Sequence, residues 1–157
     1  MSGTRDDLIA ELEKTLQFID KNRSLYDNFR TREFPLLNKC PSSAMIVSQI
    51  IVDFYTCIET LFHRISQFFG NGIDPNSWHK DLLANMTLQI ADKREAVIGD
   101  TTAAALDELL RFRHFRHYYF DTEYDWDKIE FVEKKYLQAI DLVIKDLQQF
   151  RNFLKQI

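Results

Sequence analysis

The stretch that decides the fold is residues 44–69, AMIVSQIIVDFYTCIETLFHRISQFF. Large apolar residues recur in it every three or four positions, which is the spacing of an α-helix. They are Ile46, Ile50, Phe54, Ile58, Leu61, Ile65 and Phe68. Other apolar residues fall between them, so the helix is apolar on more than one side. A helix of this kind is typical of the centre of a helical bundle.

The same periodicity predicts helices on both sides of this central one. We expect five helices in all, over residues 4–30, 42–69, 74–92, from 100 into the segment 110–120, and 127–154. Few glycines and prolines favour long helices over many turns, because both residues interrupt regular structure. The sequence therefore predicts an all-α, up-and-down bundle of about five helices, folded as a single domain over residues 1–157.

Helix boundaries are predicted from caps and prolines. Thr4 or Asp6 is expected to cap the first helix, and Asp127 the last. Phe34-Pro35 and Cys40-Pro41 are expected to break the chain between the first and second helices, since the residue before a proline avoids the α-helical region.

Composition narrows the classes of function. A net charge of −4 excludes a globally basic nucleic-acid coat, so contact with RNA requires a local basic patch. The N-terminus is polar, and residues 44–58, the most apolar window, contain Gln49 and Asp53 and are too few to span a bilayer. Cys40 and Cys57 lack zinc-type spacing. These features predict a soluble, cytoplasmic protein without a membrane segment.

The local basic patch is residues 110–120, LRFRHFRHYYF, where three arginines and two histidines alternate with aromatic residues. On a helical wheel, Arg113 and His117 lie about 20° on either side of the direction of Leu106, and so project from the apolar face. They are four residues apart and within reach of each other. Three other polar residues point roughly 80° to 140° away; these are Arg111, His114 and Tyr118.

Two interpretations of this patch stay open. In the first, Arg113 pairs with a buried acid, Asp53 or Glu59, because a cation on a core-facing stripe needs a partner, and His117 is held by a neighbour. In the second, the patch is a ribonuclease site, in which histidine moves protons, arginine holds phosphate and tyrosine stacks on a base. The candidate catalytic residues are then His117, Arg113, Arg111 and His114, and the candidate substrate-binding residues are Arg116 and Tyr118.

Three stretches, in order along the chain, carry a family resemblance. The first is VDFYTCIETLF at residues 52–62, which is similar to a DFYTGIE-x-x-F helix. The second is WHKDLLANM at residues 78–86, with REAVI at 94–98. The third is FRHFRHYY at residues 112–119, with YDWD at 124–127. Together they resemble the HEPN superfamily and, within it, the HepT-like ribonuclease toxin branch.

The mark of that family is an arginine, four to six intervening residues and a histidine, often followed by x-Tyr. Arg111 and His117 have five residues between them, and His117-Tyr118-Tyr119 supplies the ending. Arg113, which the wheel favours, has only three residues between it and His117. Pattern and wheel therefore agree on the histidine and differ on the arginine.

The resemblance implies a homodimer in which the motifs of two subunits face one cleft and cut RNA, tRNA being one candidate, without a metal or other cofactor. It also implies a minimal nucleotidyltransferase antitoxin as partner, which in some systems adds AMP to the motif tyrosine. Tyr119 occupies that position, and a core or stacking role for it stays open. Asp53 and Glu59 are expected to support the site by holding Arg113 or orienting His117.

Rival functions remain. The first is a non-catalytic module that binds a nucleotidyltransferase or RNA through the same cleft, and a weaker one is binding of a small nucleotide. A metal site is not expected, because Glu59 and His63 lack the Glu-x-x-His pairs of di-iron bundles. His79, beside Trp78, is expected to be structural.

Overall fold

The structure, a computed structural model, describes residues 3–70, 78–118 and 125–157, and the statements below refer to these ranges. Its elements in chain order are α1 (Arg5–Asn28), a π-helical turn (Phe29–Glu33), α2 (Phe34–Leu37), α3 (Pro41–Phe68), α4 (Trp78–Met86), α5 (Asp100–Tyr118) and α6 (Trp126–Gln156). The described residues form no β-strand beyond one isolated bridge. The predicted all-α bundle is confirmed.

Side-chain contacts show that neighbouring helices alternate in direction. Asn22 near the end of α1 contacts the backbone of Ile50 early in α3, while Glu11 near the start of α1 pairs with Arg64 late in α3. The start of α5 likewise meets the later part of α6, where Thr102 donates to Asp146. The helices therefore run up and down through the bundle.

Helix α3 is at the centre because it packs against α1, α4, α5 and α6. By length and composition it could cross a membrane, and 56% of its most apolar window is buried inside the bundle. The sequence predicts both the short apolar window of residues 44–58 and the longer helix over residues 42–69 that contains it, and the helix has 28 residues. The apolar composition of α3 is explained by its packing against other helices on several sides.

One buried amide links three of the helices. The side chain of Asn22 on α1 donates to the carbonyl oxygen of Ile50 on α3 at 3.0 Å. It accepts from the hydroxyl of Tyr136 on α6 at 2.6 Å. Buried polar groups are stable when they are bonded in this way, so the core retains a polar contact at the point where α1, α3 and α6 meet.

The first helix begins as predicted and ends differently. Thr4 caps α1 through a reciprocal capping box with Asp7. The predicted break at Phe34-Pro35 is absent, because the backbone of Phe34 donates to the carbonyl of Phe29, five residues back. This wide turn places Pro35 in the first turn of α2, where its missing N–H costs no hydrogen bond. The helix ends at Asn38, which has a positive φ of 55°.

Two other predicted boundaries were wrong. Helix α4 ends at Met86, and the chain does not stay helical to Asp92, because the buried Arg94 folds back and donates to the carbonyl and the side chain of Asn85. Helix α6 is capped by Asp125, whose side chain accepts from the backbone of Asp127, the residue predicted as the cap.

Candidate functional site

Helices α3 and α5 run in opposite directions and face each other with polar side chains. Arg113 on α5 lies opposite Thr56 and Glu59 on α3. Arg116, about one turn after Arg113 on α5, lies opposite Gln49, which precedes Glu59 on α3 by nearly three turns. The apolar stripe of α3 fixes this placement, because burying it turns the flanking polar residues toward α5.

Glu59 and Arg113 form a buried ion pair. One guanidinium nitrogen of Arg113 lies 3.0 Å from both carboxylate oxygens of Glu59, whose side chain is only 7% exposed. The other terminal nitrogen donates to the hydroxyl of Thr56 at 3.2 Å. The sequence leaves open whether Asp53 or Glu59 meets Arg113, and in the structure the acid is Glu59. A carboxylate at this depth requires such a cation, because an unpaired buried charge is strongly destabilising.

The ring of Tyr55 forms the floor beneath this pair. The guanidinium carbon of Arg113 is 4.8 Å from the centre of the ring, a cation–π contact. Burial, reinforced by the negative charge of Glu59 and opposed by Arg113, raises the pKa of the Tyr55 hydroxyl. Tyr55 therefore stays protonated at neutral pH and acts as a packing surface for the arginine.

His79 on α4 joins the pair from a third helix. Its Nδ1 atom is 2.9 Å from a carboxylate oxygen of Glu59 and 3.3 Å from the guanidinium of Arg113. Sequence reasoning missed this contact and assigned His79 a structural place beside Trp78. The resemblance had marked the segment 78–86, but no periodicity shows that α4 approaches α3 at Glu59.

Beyond the ion pair, the two helices border an open groove. Its lining residues are Val52, Arg113, Arg116 and His117. Arg113 and His117 therefore share one side of α5, as the helical wheel predicts, although His117 is exposed rather than core-facing. Arg116, which the wheel does not group with them, reaches the groove because its long side chain bends toward α3.

Gln49 connects Arg116 to the acid predicted as a support. Arg116 donates to the amide oxygen of Gln49 at 2.9 Å, and the amide nitrogen of Gln49 donates to Asp53 at 2.7 Å. Asp53 thus joins the site one residue removed from the arginine. The acid that Arg113 contacts is Glu59 rather than Asp53.

Arg111, the arginine that the family spacing favours, lies elsewhere on α5. It pairs with Asp107 one turn earlier at 3.0 Å, and its side chain is 70% exposed. His114 is also exposed. Within one chain, Arg111 and His117 do not border the same groove, because six residues along a helix place them roughly 120° apart.

The side chains of Tyr118 and Tyr119, both predicted to belong to the site, lie outside the described residues. The backbone of Tyr118 ends α5. Among the described residues, no three histidine, cysteine, aspartate or glutamate side chains converge as metal ligands would.

Comparison with known proteins gives one match. The model of a protein family described as HepT-like protein matches residues 46–154, which cover most of α3 and α6, all of α4 and α5, and every residue of the groove. No curated protein and no solved structure matches the chain.

Proposed function

The chain belongs to the HepT-like family, and from that premise we propose that it is a metal-independent endoribonuclease whose active site is the groove between α3 and α5. The observation that carries the proposal is that Arg113, Arg116 and His117 border the same groove. Cleavage of RNA by attack of its own 2′-hydroxyl on the neighbouring phosphate requires at least a cation that binds the phosphate and a group that transfers protons.

The two arginines of the groove have different roles. Arg116 donates to the amide of Gln49, a neutral group that leaves the guanidinium charge uncancelled, so it binds the phosphate of the substrate. Arg113 shares its charge with Glu59 and is held in one orientation by it. It supports the phosphorane at the moment when additional negative charge develops.

His117 supplies proton transfer, because its imidazole is exposed at the groove and can both accept and donate a proton. The residues that follow it in sequence, Tyr118, Tyr119 and Phe120, are aromatic, the type of side chain on which unpaired bases stack. Tyr119 lies outside the described residues and is proposed, from its position after His117, as the tyrosine that a nucleotidyltransferase antitoxin modifies with AMP.

A second copy of the chain is proposed to complete the cleft. Met45 and Ile46 at the start of α3 are exposed by 48% and 39%. Met45 lies one turn before Gln49 and two before Val52, so it extends the groove stripe of α3. Exposed apolar residues beside a binding groove favour a protein contact. We propose that Arg111, which the family spacing favours and which does not line the groove of its own chain, serves the groove of the other subunit in a symmetric dimer.

The test uses total tRNA incubated with the purified chain in EDTA at neutral pH. We expect the wild-type chain to cleave the RNA and His117→Ala to lose at least about 100-fold in rate, the usual contribution of a general acid or base. His63→Ala, an exposed histidine outside the groove, is the matched control and retains the wild-type rate. Equal persistence of RNA with wild type and His117→Ala would overturn the proposal.

The alternative is a non-catalytic module that binds RNA or a nucleotidyltransferase through the same groove. The involvement of Arg113 with Glu59 favours it, since an arginine already paired has less charge to offer a phosphate. Under this alternative, RNA is retained by the wild-type chain without cleavage, and Arg116→Ala weakens retention. Cleavage in the EDTA assay decides against it.

A further inference from the structure

Glu59 has more partners than its charge requires. Arg113 already contacts both of its carboxylate oxygens at 3.0 Å, which neutralises the buried acid. His79 adds a third contact at 2.9 Å, and its side chain is 46% exposed although Glu59 is only 7% exposed. A histidine held on its inner side by a buried carboxylate and exposed elsewhere has the arrangement that orients an imidazole for proton transfer.

We propose that His79 is a second catalytic residue of the ribonuclease, the general base that deprotonates the ribose 2′-hydroxyl, and that Glu59 is its positioning residue. The inference rests on the proposed function and assigns the two halves of the proton transfer to His79 and His117. It differs from the arrangement that the family pattern implies, because both histidines come from one chain.

The contacts determine which nitrogen of His79 carries the proton. A carboxylate oxygen only accepts hydrogen bonds, and a guanidinium only donates them. Nδ1 is closer to Glu59 than to Arg113, at 2.9 Å against 3.3 Å. Nδ1 therefore carries a hydrogen directed at Glu59, and Nε2, across the ring, is the basic nitrogen. When Nε2 accepts a proton, the charge of Glu59 stabilises the resulting imidazolium.

Two charged groups from neighbouring helices contact His79. Helix α4 packs against α3 and α5, which contribute Glu59 and Arg113 to its surroundings. On α4 itself, Lys80 and Asp81 follow it in sequence. The acid makes the shorter of the two contacts, at 2.9 Å against 3.3 Å, so it is the group that orients the ring.

Arg113 connects His79 to the groove. It contacts the imidazole of His79 and also borders the groove together with His117. Arg113 therefore lies next to both histidines, contacting His79 through one terminal nitrogen and sharing the groove with His117. In-line cleavage requires a base near the attacking oxygen and an acid near the leaving oxygen.

The reaction balances without a metal or any added reagent. Nε2 of His79 takes the proton of the 2′-hydroxyl, and the 2′-oxygen forms a bond to phosphorus. The bond between phosphorus and the 5′-oxygen breaks, and that oxygen takes a proton from the imidazolium of His117. The products are a 2′,3′-cyclic phosphate and a 5′-hydroxyl, with one proton gained by His79 and one lost by His117.

The decisive variant is His79→Asn, since the asparagine amide nitrogen can still donate to Glu59 but cannot accept a proton. We expect cleavage of tRNA in EDTA to fall by about 100-fold or more and the acidic limb of the pH–rate profile, which reports the base, to disappear. His63→Asn is the matched control, with the same substitution at an exposed position of α3, and retains both rate and profile.

A second measurement is independent of cleavage. Nitrogen-15 NMR of the imidazole rings is expected to show His79 protonated at Nδ1 in the wild-type chain and to lose that preference in Glu59→Gln. A hydrogen on Nε2 instead would overturn the proposal, even if His79→Asn fails to fold.

The remaining outcomes separate this inference from the proposed function. If the wild-type chain cleaves RNA and His79→Asn keeps its rate and profile, His79 is not the base while the ribonuclease stands. If the wild-type chain and all variants leave RNA intact, the ribonuclease proposal fails and the role of His79 falls with it.

Discussion

Two buried glutamates of this bundle are built alike and differ in one partner. Glu59 on α3 and Glu133 on α6 each have a side chain that is 7% exposed. Each pairs with an arginine from another segment of the chain, and each arginine lies over an aromatic ring: Arg113 over Tyr55 at 4.8 Å, Arg30 over Phe34 at 4.1 Å.

The third partner separates the two centres. Glu133 accepts from the hydroxyl of Tyr26 at 3.0 Å, a group that is 5% exposed and whose pKa is raised by burial and by the charge of Glu133. At Glu59 the corresponding partner is His79, which is 46% exposed. The hydroxyl of Tyr26 is buried and stays protonated, so Glu133 is shielded from solvent. The imidazole of His79 is exposed, so the partner of Glu59 is accessible to solvent. Burial of an acid is therefore a weaker sign of function than the nature of what it holds.

Removing the arginine from each centre gives the largest expected effect. Arg113→Ala leaves Glu59 buried without its ion pair and is expected to lower the free energy of unfolding by about 3 kcal/mol. Arg30→Ala is expected to cost about 1 kcal/mol, since Arg30 is 32% exposed, its contact is longer at 3.4 Å, and Tyr26 still donates to Glu133. Urea unfolding measures the free energy of unfolding of both variants. Equal losses would contradict the expectation from the exposure of the two arginines, 20% for Arg113 and 32% for Arg30.

Removing the acid's charge while retaining its shape separates the centres by activity. Glu59→Gln is expected to slow RNA cleavage about 100-fold, because His79 loses the carboxylate that orients it. Glu133→Gln serves as the matched control and is expected to stay within about threefold of wild type. Loss of activity in both variants would show that the two centres act through the fold alone.

The pH dependence of stability tests the centre at Glu133. Burial raises the pKa of Glu133 above its usual 4.5, with Arg30 and Tyr26 opposing that shift. The protonated form is thus favoured in the folded chain, so this contribution to stability is complete below the ordinary carboxyl pKa and is lost as pH rises through the raised value. Glu133→Gln does not titrate, so we expect the stability of wild type to fall relative to that of this variant as pH rises above 4.5. A constant difference over that range would contradict the raised pKa.

The exposed ion pair of Arg111 and Asp107 is expected to show the smallest effect on stability. Arg111 and Asp107 form an ion pair at 3.0 Å with the arginine 70% exposed. Arg111→Ala is expected to change the free energy of unfolding by less than about 0.5 kcal/mol, because solvent screens such pairs. Thermal unfolding at two salt concentrations measures this, and a loss approaching that of Arg113→Ala would mean that Arg111 has a buried role in the folded chain.

The central helix and one half of the site were predictable from local patterns. The periodicity of α3 predicts its burial, and the wheel places Arg113 on the face that meets it, so that an acid such as Glu59 must follow as a partner. These predictions succeed because they depend on residues within one or two helical turns and on the cost of an unpaired buried charge.

The rest of the site depends on contacts between distant segments. The approach of His79 to Glu59 depends on how α4 packs against α3, and no pattern within α4 contains that information. The interval between Arg111 and His117 favours Arg111 as a site residue. Its exposure of 70% depends on which face of α5 packs against the other helices. The continuation through Pro35 depends on a π-helical turn, which the preference of the residue before proline does not indicate.

The amide of Asn22 has a consequence for the precision of this site. It joins α1 to the carbonyl of Ile50 on α3 and to the hydroxyl of Tyr136 on α6, so a change in the rotation or separation of these helices would leave a buried amide unsatisfied in an apolar core. The rotation of α3 that turns the carbonyl of Ile50 toward α1 is thereby favoured. A single side chain outside the family match thus helps to fix the orientation of the helix that carries Glu59.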